Sequence, residues 1–111
     1  MPVMTDRQLV AANTTVQNVL AGKLAEFLTE ASRVALYATG SAVGLNYSLL
    51  IGGEATVDDQ EVSSANRFPV VPDDFVAEGG GFQGDRIIVR IRNTTAAGIT
   101  AFTRVETNPV G

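Results

Sequence analysis

From residue 33 onward, apolar and polar positions in this chain alternate at the period of a pleated strand. In "LNYSLLIGG", Leu45, Tyr47, Leu49 and Ile51 alternate with Asn46, Ser48 and Leu50, which predicts a strand with one buried face. "RVALYATG" repeats the pattern, with Val34, Leu36 and Ala38 on one side and Arg33, Ala35, Tyr37 and Thr39 on the other. In "RIIVRIR", Ile87, Val89 and Ile91 share one face, and Arg86, Ile88, Arg90 and Arg92 share the other. "NTTAAG" and "ITAFTRVE" follow, so the end of the chain reads as strand, turn and strand, a C-terminal hairpin. A turn centred near Ala96 would place Arg86 opposite Glu106 and Arg90 opposite Phe102, with a cross-strand ion pair and a cation–π contact, whereas a register shifted by one residue puts Phe102 on the core face, and the sequence leaves both open.

Elsewhere the pattern is weaker. Residues 1–15 are polar, small and poorly patterned, and read as an N-terminal arm that orders only against another subunit. Val16, Val19, Leu20, Leu24, Phe27 and Leu28 recur at helical spacing, but Gly22 interrupts them at a cost of about 1 kcal/mol relative to Ala. Residues 16–31 therefore stand open between one short helix and two extended pieces. "DDQEVSSAN" reads as an acidic loop and "VAEGGGFQGD" as a mobile one. Between them, the prolines of "RFPVVPDDF" predict an edge strand or stiff connection anchored by Phe68 and Phe75.

Taken together, these elements predict an all-β fold: a small antiparallel β-sandwich or jelly-roll-like domain over residues 16–111, preceded by the arm. Composition agrees. The chain is 45% hydrophobic, rich in Val, Ile and Thr, and has 11 Gly for its turns. At 111 residues it makes one domain. Its start has no charged segment followed by an apolar one, and no apolar run approaches ~20 residues, so neither a signal peptide nor a membrane span is expected.

Charge and chemistry narrow the function. Twelve acidic residues oppose eight basic ones, which argues against a nucleic-acid binder. Three of the seven arginines nevertheless fall between residues 86 and 92. The chain has no His and no Cys, so the commonest general base, the thiolate nucleophile and the usual zinc ligands are missing together. Asp58-Asp59 with Glu61, and Asp73-Asp74, fit no calcium loop, and with no Trp and two Tyr the chain is poorly equipped to hold a sugar for paired-acid hydrolysis. "GGGFQGD" lacks the Lys-Ser/Thr and the helix that a phosphate loop needs. These residues point to binding rather than catalysis, with no cofactor and no metal. The sequons at Asn13, Asn46 and Asn93 bear only on a secreted protein.

Three stretches, "NVLAG…EFL", "NRFPVVPDDF" and "GDRIIVRIRNTTAAGITAFTRV", resemble the small virion structural proteins of tailed bacteriophages called decoration or cement proteins. The resemblance spans roughly residues 16–110. It implies a β-rich, non-enzymatic domain on the outer capsid surface of the virion, made in the host cytoplasm. Such a protein is often trimeric and clamps neighbouring copies of the major capsid protein. The expected contacts are Arg86, Arg90 and Arg92, whose planar forks hold carboxylates, together with Arg67, Phe68, Asp73, Asp74 and Phe75 of the proline-stiffened segment. The alternatives are a tail or fibre component with a receptor- or glycan-binding β-domain, using Tyr37, Tyr47 and Phe82, and a small cellular binding domain unrelated to phage.

Overall fold

A strand with one apolar face must bury that face, and two sheets of such strands cover each other. That is the arrangement in the computed structural model, which describes residues 3–20, 26–62, 64, 69 and 74–109. The strands are β1 (Val3–Val10), β2 (Thr15–Val16), β3 (Ser32–Gly40), β4 (Leu45–Ile51), β5 (Glu54–Glu61), β6 (Phe75–Gly81), β7 (Ile87–Asn93) and β8 (Ile99–Pro109). Sheet I has the order β1-β8-β3-β6 and sheet II the order β2-β7-β4-β5, and every pairing between these strands is antiparallel. The chain is an all-β sandwich.

The alternating faces meet in the middle. Val34, Leu36 and Ala38 from β3 and Ile99, Ala101 and Val105 from β8 pack on Leu45, Tyr47, Leu49 and Ile51 from β4 and Ile87, Val89 and Ile91 from β7. Tyr47 is fully buried, and its hydroxyl lies 2.6 Å from the Thr103 hydroxyl of the opposite sheet. Burial pushes the Tyr47 phenol far above its ordinary pKa, an effect the Thr103 hydrogen bond only partly offsets.

Several expectations are corrected. Residues 3–10 are no arm. They form β1, paired along its whole length with β8 of the same chain, from Val3↔Glu106 to Val10↔Ile99. Their inward positions are Met4, Asp6, Gln8 and Val10, so two polar residues hide the strand's period, and Gln8 Nε2 donates to Asp6 Oδ2 at 2.7 Å.

The C-terminal hairpin is also absent, because β7 and β8 belong to different sheets. Asn93 ends β7 facing inward, only 1% exposed. Its amide nitrogen donates to Val10 O (3.0 Å) and Ala97 O (2.8 Å), and its oxygen accepts from the Thr95 backbone N–H (2.9 Å) and hydroxyl (2.8 Å). That network turns the chain from one sheet to the other.

Residues 16–20 of the uncertain segment are not helical. Thr15–Val16 pairs with β7, and Asn18 then continues the edge with its side chain: Oδ1 accepts from Val89 N at 3.1 Å and Nδ2 donates to Ile87 O at 3.3 Å. Val19 and Leu20 drop into the core between the sheets. Gly22 and Leu24 lie outside the described residues.

"DDQE" is the end of strand β5, and the glycine run is part of strand β6. The β4–β5 connection is a two-residue hairpin loop, Gly52-Gly53, with φ of 60° and 90°. Positive φ at both positions suits a hairpin whose turn matches the strand twist, and glycine supplies it without strain.

Candidate functional site

The outer face of sheet II carries the arginines, and its geometry starts from β4 and β5. The β4–β5 register slips twice, between Tyr47 and Leu49 and again between Leu49 and Leu50. At the first slip Asp58 and Asp59 bulge over Ser48, with Asp59 in the left-handed region at φ 60°. Asp59 N–H donates to Ser48 Oγ (2.9 Å), and Ser48 Oγ donates to Asp58 Oδ1 (3.1 Å). Ser48 is thereby buried although it points away from the core. A bulge of this kind re-aims side chains, and here it brings two carboxylates beside β7.

Each of the three expected arginines meets a different environment. Arg92 Nε donates to Asp59 Oδ1 at 3.0 Å, and its Nη2 donates to Asp59 Oδ2, a two-pronged pair. That hydrogen bonding, with the charge of Asp59, pushes the Arg92 pKa up from its already high value. Arg86 Nε donates to Glu26 Oε2 at 2.8 Å. The carboxylates expected from a neighbouring subunit are thus supplied to Arg86 and Arg92 by their own chain, and neither the Arg86–Glu106 pair nor the Arg90–Phe102 contact forms. Glu106 instead takes Arg104, at 2.7 Å. The ring of Phe102 is covered by Arg7, whose guanidinium carbon lies 5.7 Å from its centroid.

Among the described residues Arg90 has no such partner, and its buried Nε finds no hydrogen-bond acceptor. The side chain lines a cavity of ≈ 320 Å³ together with Thr15, Gln17, Ser48, Asp58, Asp59 and Arg92. Thr15, Gln17 and Ser48 were not foreseen, because their convergence depends on β2 pairing with β7 and on the β5 bulge.

On sheet I the second group of expected residues divides. Asp74 is buried, and its carbonyl accepts from Ala38 N–H at 3.2 Å. Phe75 is 51% exposed and stands edge-on to Tyr37, with ring centroids 5.8 Å apart. Burial and the nearby Glu106 and Glu78 raise the Tyr37 phenol pKa. Arg67, Phe68 and Asp73 lie outside the described residues. Of the three proposed sugar-contacting rings, Tyr47 is sealed in the core, while Phe82 is exposed. Among the described residues, no three metal-ligating side chains gather, and no helix is long and apolar enough to cross a membrane.

No family model, curated protein or solved structure matches the chain.

Proposed function

We propose that the protein is a virion structural component of a tailed bacteriophage, a decoration or cement protein that binds adjacent major capsid subunits from outside. One observation carries the reading. The outer face of sheet I leaves large apolar side chains in solvent at both of its edges: Val3 and Leu9 on β1, and Phe75 on β6. Large apolar side chains left in solvent on one face suit a docking surface. Between them stand Arg7 over Phe102 and the Arg104–Glu106 pair, a polar centre that fixes orientation more than it adds affinity. The resemblance of the three sequence stretches to decoration proteins supports the same reading.

The contact mechanism follows from the placement of the residues. Because Arg86 and Arg92 hold carboxylates of their own chain, docking rests on sheet I and on the segment ending at Phe75, with a trimer as the proposed unit. Phe75 is anchored beside Tyr37, so little side-chain freedom is lost when a partner covers it.

Imaging virions assembled with and without this protein tests the proposal. The expected result is extra density on the outer capsid surface at local three-fold positions, together with co-sedimentation of purified protein with expanded capsids. Density confined to the tail, or a protein that leaves capsids bare, overturns it.

A further inference from the structure

We infer that the cavity beside Arg90 is a binding site for a single carboxylate group. The inference rests on the cavity and holds wherever the protein resides.

Arg90 sits opposite Ser48 on β4, and on the other side of β7 the chain runs past it from Thr15, which faces Arg92, to Gln17. Four other arginines hold acids of this chain: Arg33 with Glu78, Arg86 with Glu26, Arg92 with Asp59 and Arg104 with Glu106. Arg90 remains with its Nε buried and unpaired. A buried donor on a charged group is costly unless something accepts from it. The side chain also lines a cavity open to a ligand.

The lining selects the class of ligand. Asp59 is spent on Arg92, and one oxygen of Asp58 is held by Ser48. The lining thus sets two guanidiniums against two carboxylates, and the group left unmatched is the Arg90 Nε donor. A dianion such as phosphate would meet both carboxylates, whereas a carboxylate brings one charge in a planar group that fits the guanidinium fork. Thr15 and Gln17 supply neutral hydrogen-bonding groups beside it. At ≈ 320 Å³ the cavity accepts more than acetate and less than a large ligand. The carboxylate can come from a small hydroxylated acid or from an Asp or Glu side chain of a partner protein.

The test follows the Nε–Hε resonances of the full-length, ¹⁵N-labelled protein by NMR. Sodium acetate, sodium glucuronate and N-acetylglutamate amide are titrated against sodium phosphate and sodium chloride at matched ionic strength. The carboxylates should shift the Arg90 resonance saturably, with phosphate and chloride at least roughly tenfold weaker. Arg90→Ala should weaken carboxylate binding roughly tenfold or more, and Arg90→Lys, which keeps the charge without the fork, should fall between. Tighter binding of glucuronate assigns the site to small hydroxy acids, and tighter binding of the glutamate derivative assigns it to acidic side chains. An Arg90 resonance unmoved by every carboxylate, or moved equally by phosphate or chloride, overturns the inference. Undiminished binding by a folded Arg90→Ala protein does the same. The wild-type titration decides the matter even if the alanine variant fails to fold.

Discussion

Gly79, Gly80 and Gly81 follow one another on β6, yet their surroundings differ. A methyl group on Gly81 would come within 2.6 Å of both Ile51 Cγ2 and Leu28 Cδ1, and one on Gly79 within 2.7 Å of Thr56 Oγ1. On Gly80 the nearest atom would be the Ser32 carbonyl oxygen, at 3.9 Å. The glycines therefore mark where the edge of sheet I closes over β4 and β5, which is why the run is a strand and not a loose loop. Gly81→Ala is expected to cost about 1–3 kcal/mol through overpacking, and Gly80→Ala to stay within about 0.5 kcal/mol of wild type, both read from urea unfolding. Tyr47 makes a second residue-scale prediction. Its pKa is raised in the folded state from the ordinary 10.0. Below about pH 10 both states keep the proton and stability is unaffected; above it only the unfolded chain ionises readily. Stability should then fall with rising pH by about 1.4 kcal/mol per pH unit from this residue, until the folded-state pKa is reached. Tyr47→Phe should remove most of that slope in unfolding curves measured from pH 9 to 12, leaving a smaller part from Tyr37, which is also raised.

At the scale of elements, a few polar side chains decide which strands become neighbours. Asn93 makes four hydrogen bonds in the crossing from β7 to β8, and replacing it by Ala would leave buried backbone groups unpaired. Asn93→Ala is expected to cost at least about 2 kcal/mol in urea unfolding, far more than a change at an exposed loop residue. Asn93 also explains why the hairpin expected from "RIIVRIRNTTAAGITAFTRVE" is absent. The two strands were legible from their alternation, but an asparagine that fits a tight turn fits a sheet crossing equally well. The strands β3, β4 and β7 and their core faces could be read because one face of each is mostly apolar, whereas β8 was legible only as a strand, since Thr103 and Thr107 interrupt its inner face. β1 escaped notice because its inward face holds Asp6 and Gln8, and the second half of β5, residues 58–61, because the bulge breaks the period at Asp58 and Asp59. In residues 16–20 the helical spacing was real, yet Val19 and Leu20 satisfy it by filling the gap between the sheets. The Arg90 cavity was half legible. Its cation stood out in the sequence, whereas Ser48, Thr15 and Gln17 reach it only through long-range pairing.

For the whole molecule, the two sheets end in edges that differ in their readiness to associate. β5 closes sheet II with Glu54, Asp58, Asp59 and Glu61 and two register slips, the kind of charged, irregular edge that resists pairing. β1 closes sheet I with eight regularly paired residues, charged only at Asp6 and Arg7, and Leu9 on its outer side is 69% exposed. An acidic molecule whose arginines are largely neutralised in place therefore offers its apolar surface on sheet I. If that face docks against a neighbouring subunit, a charge introduced there should act on assembly and not on folding. Phe75→Asp is the sharpest form of this test, because half of the ring is already in solvent and the backbone of β6 is unaffected by the change. Its unfolding midpoint should stay close to wild type, while co-sedimentation with expanded capsids and the oligomer mass in solution should both fall. Phe82→Asp places the same charge at an exposed ring beyond the end of β6 and should leave both association readouts intact. Equal losses from the two variants would mean that added negative charge, rather than the sheet I face, weakens association, and the docking surface would have to be sought elsewhere on the molecule.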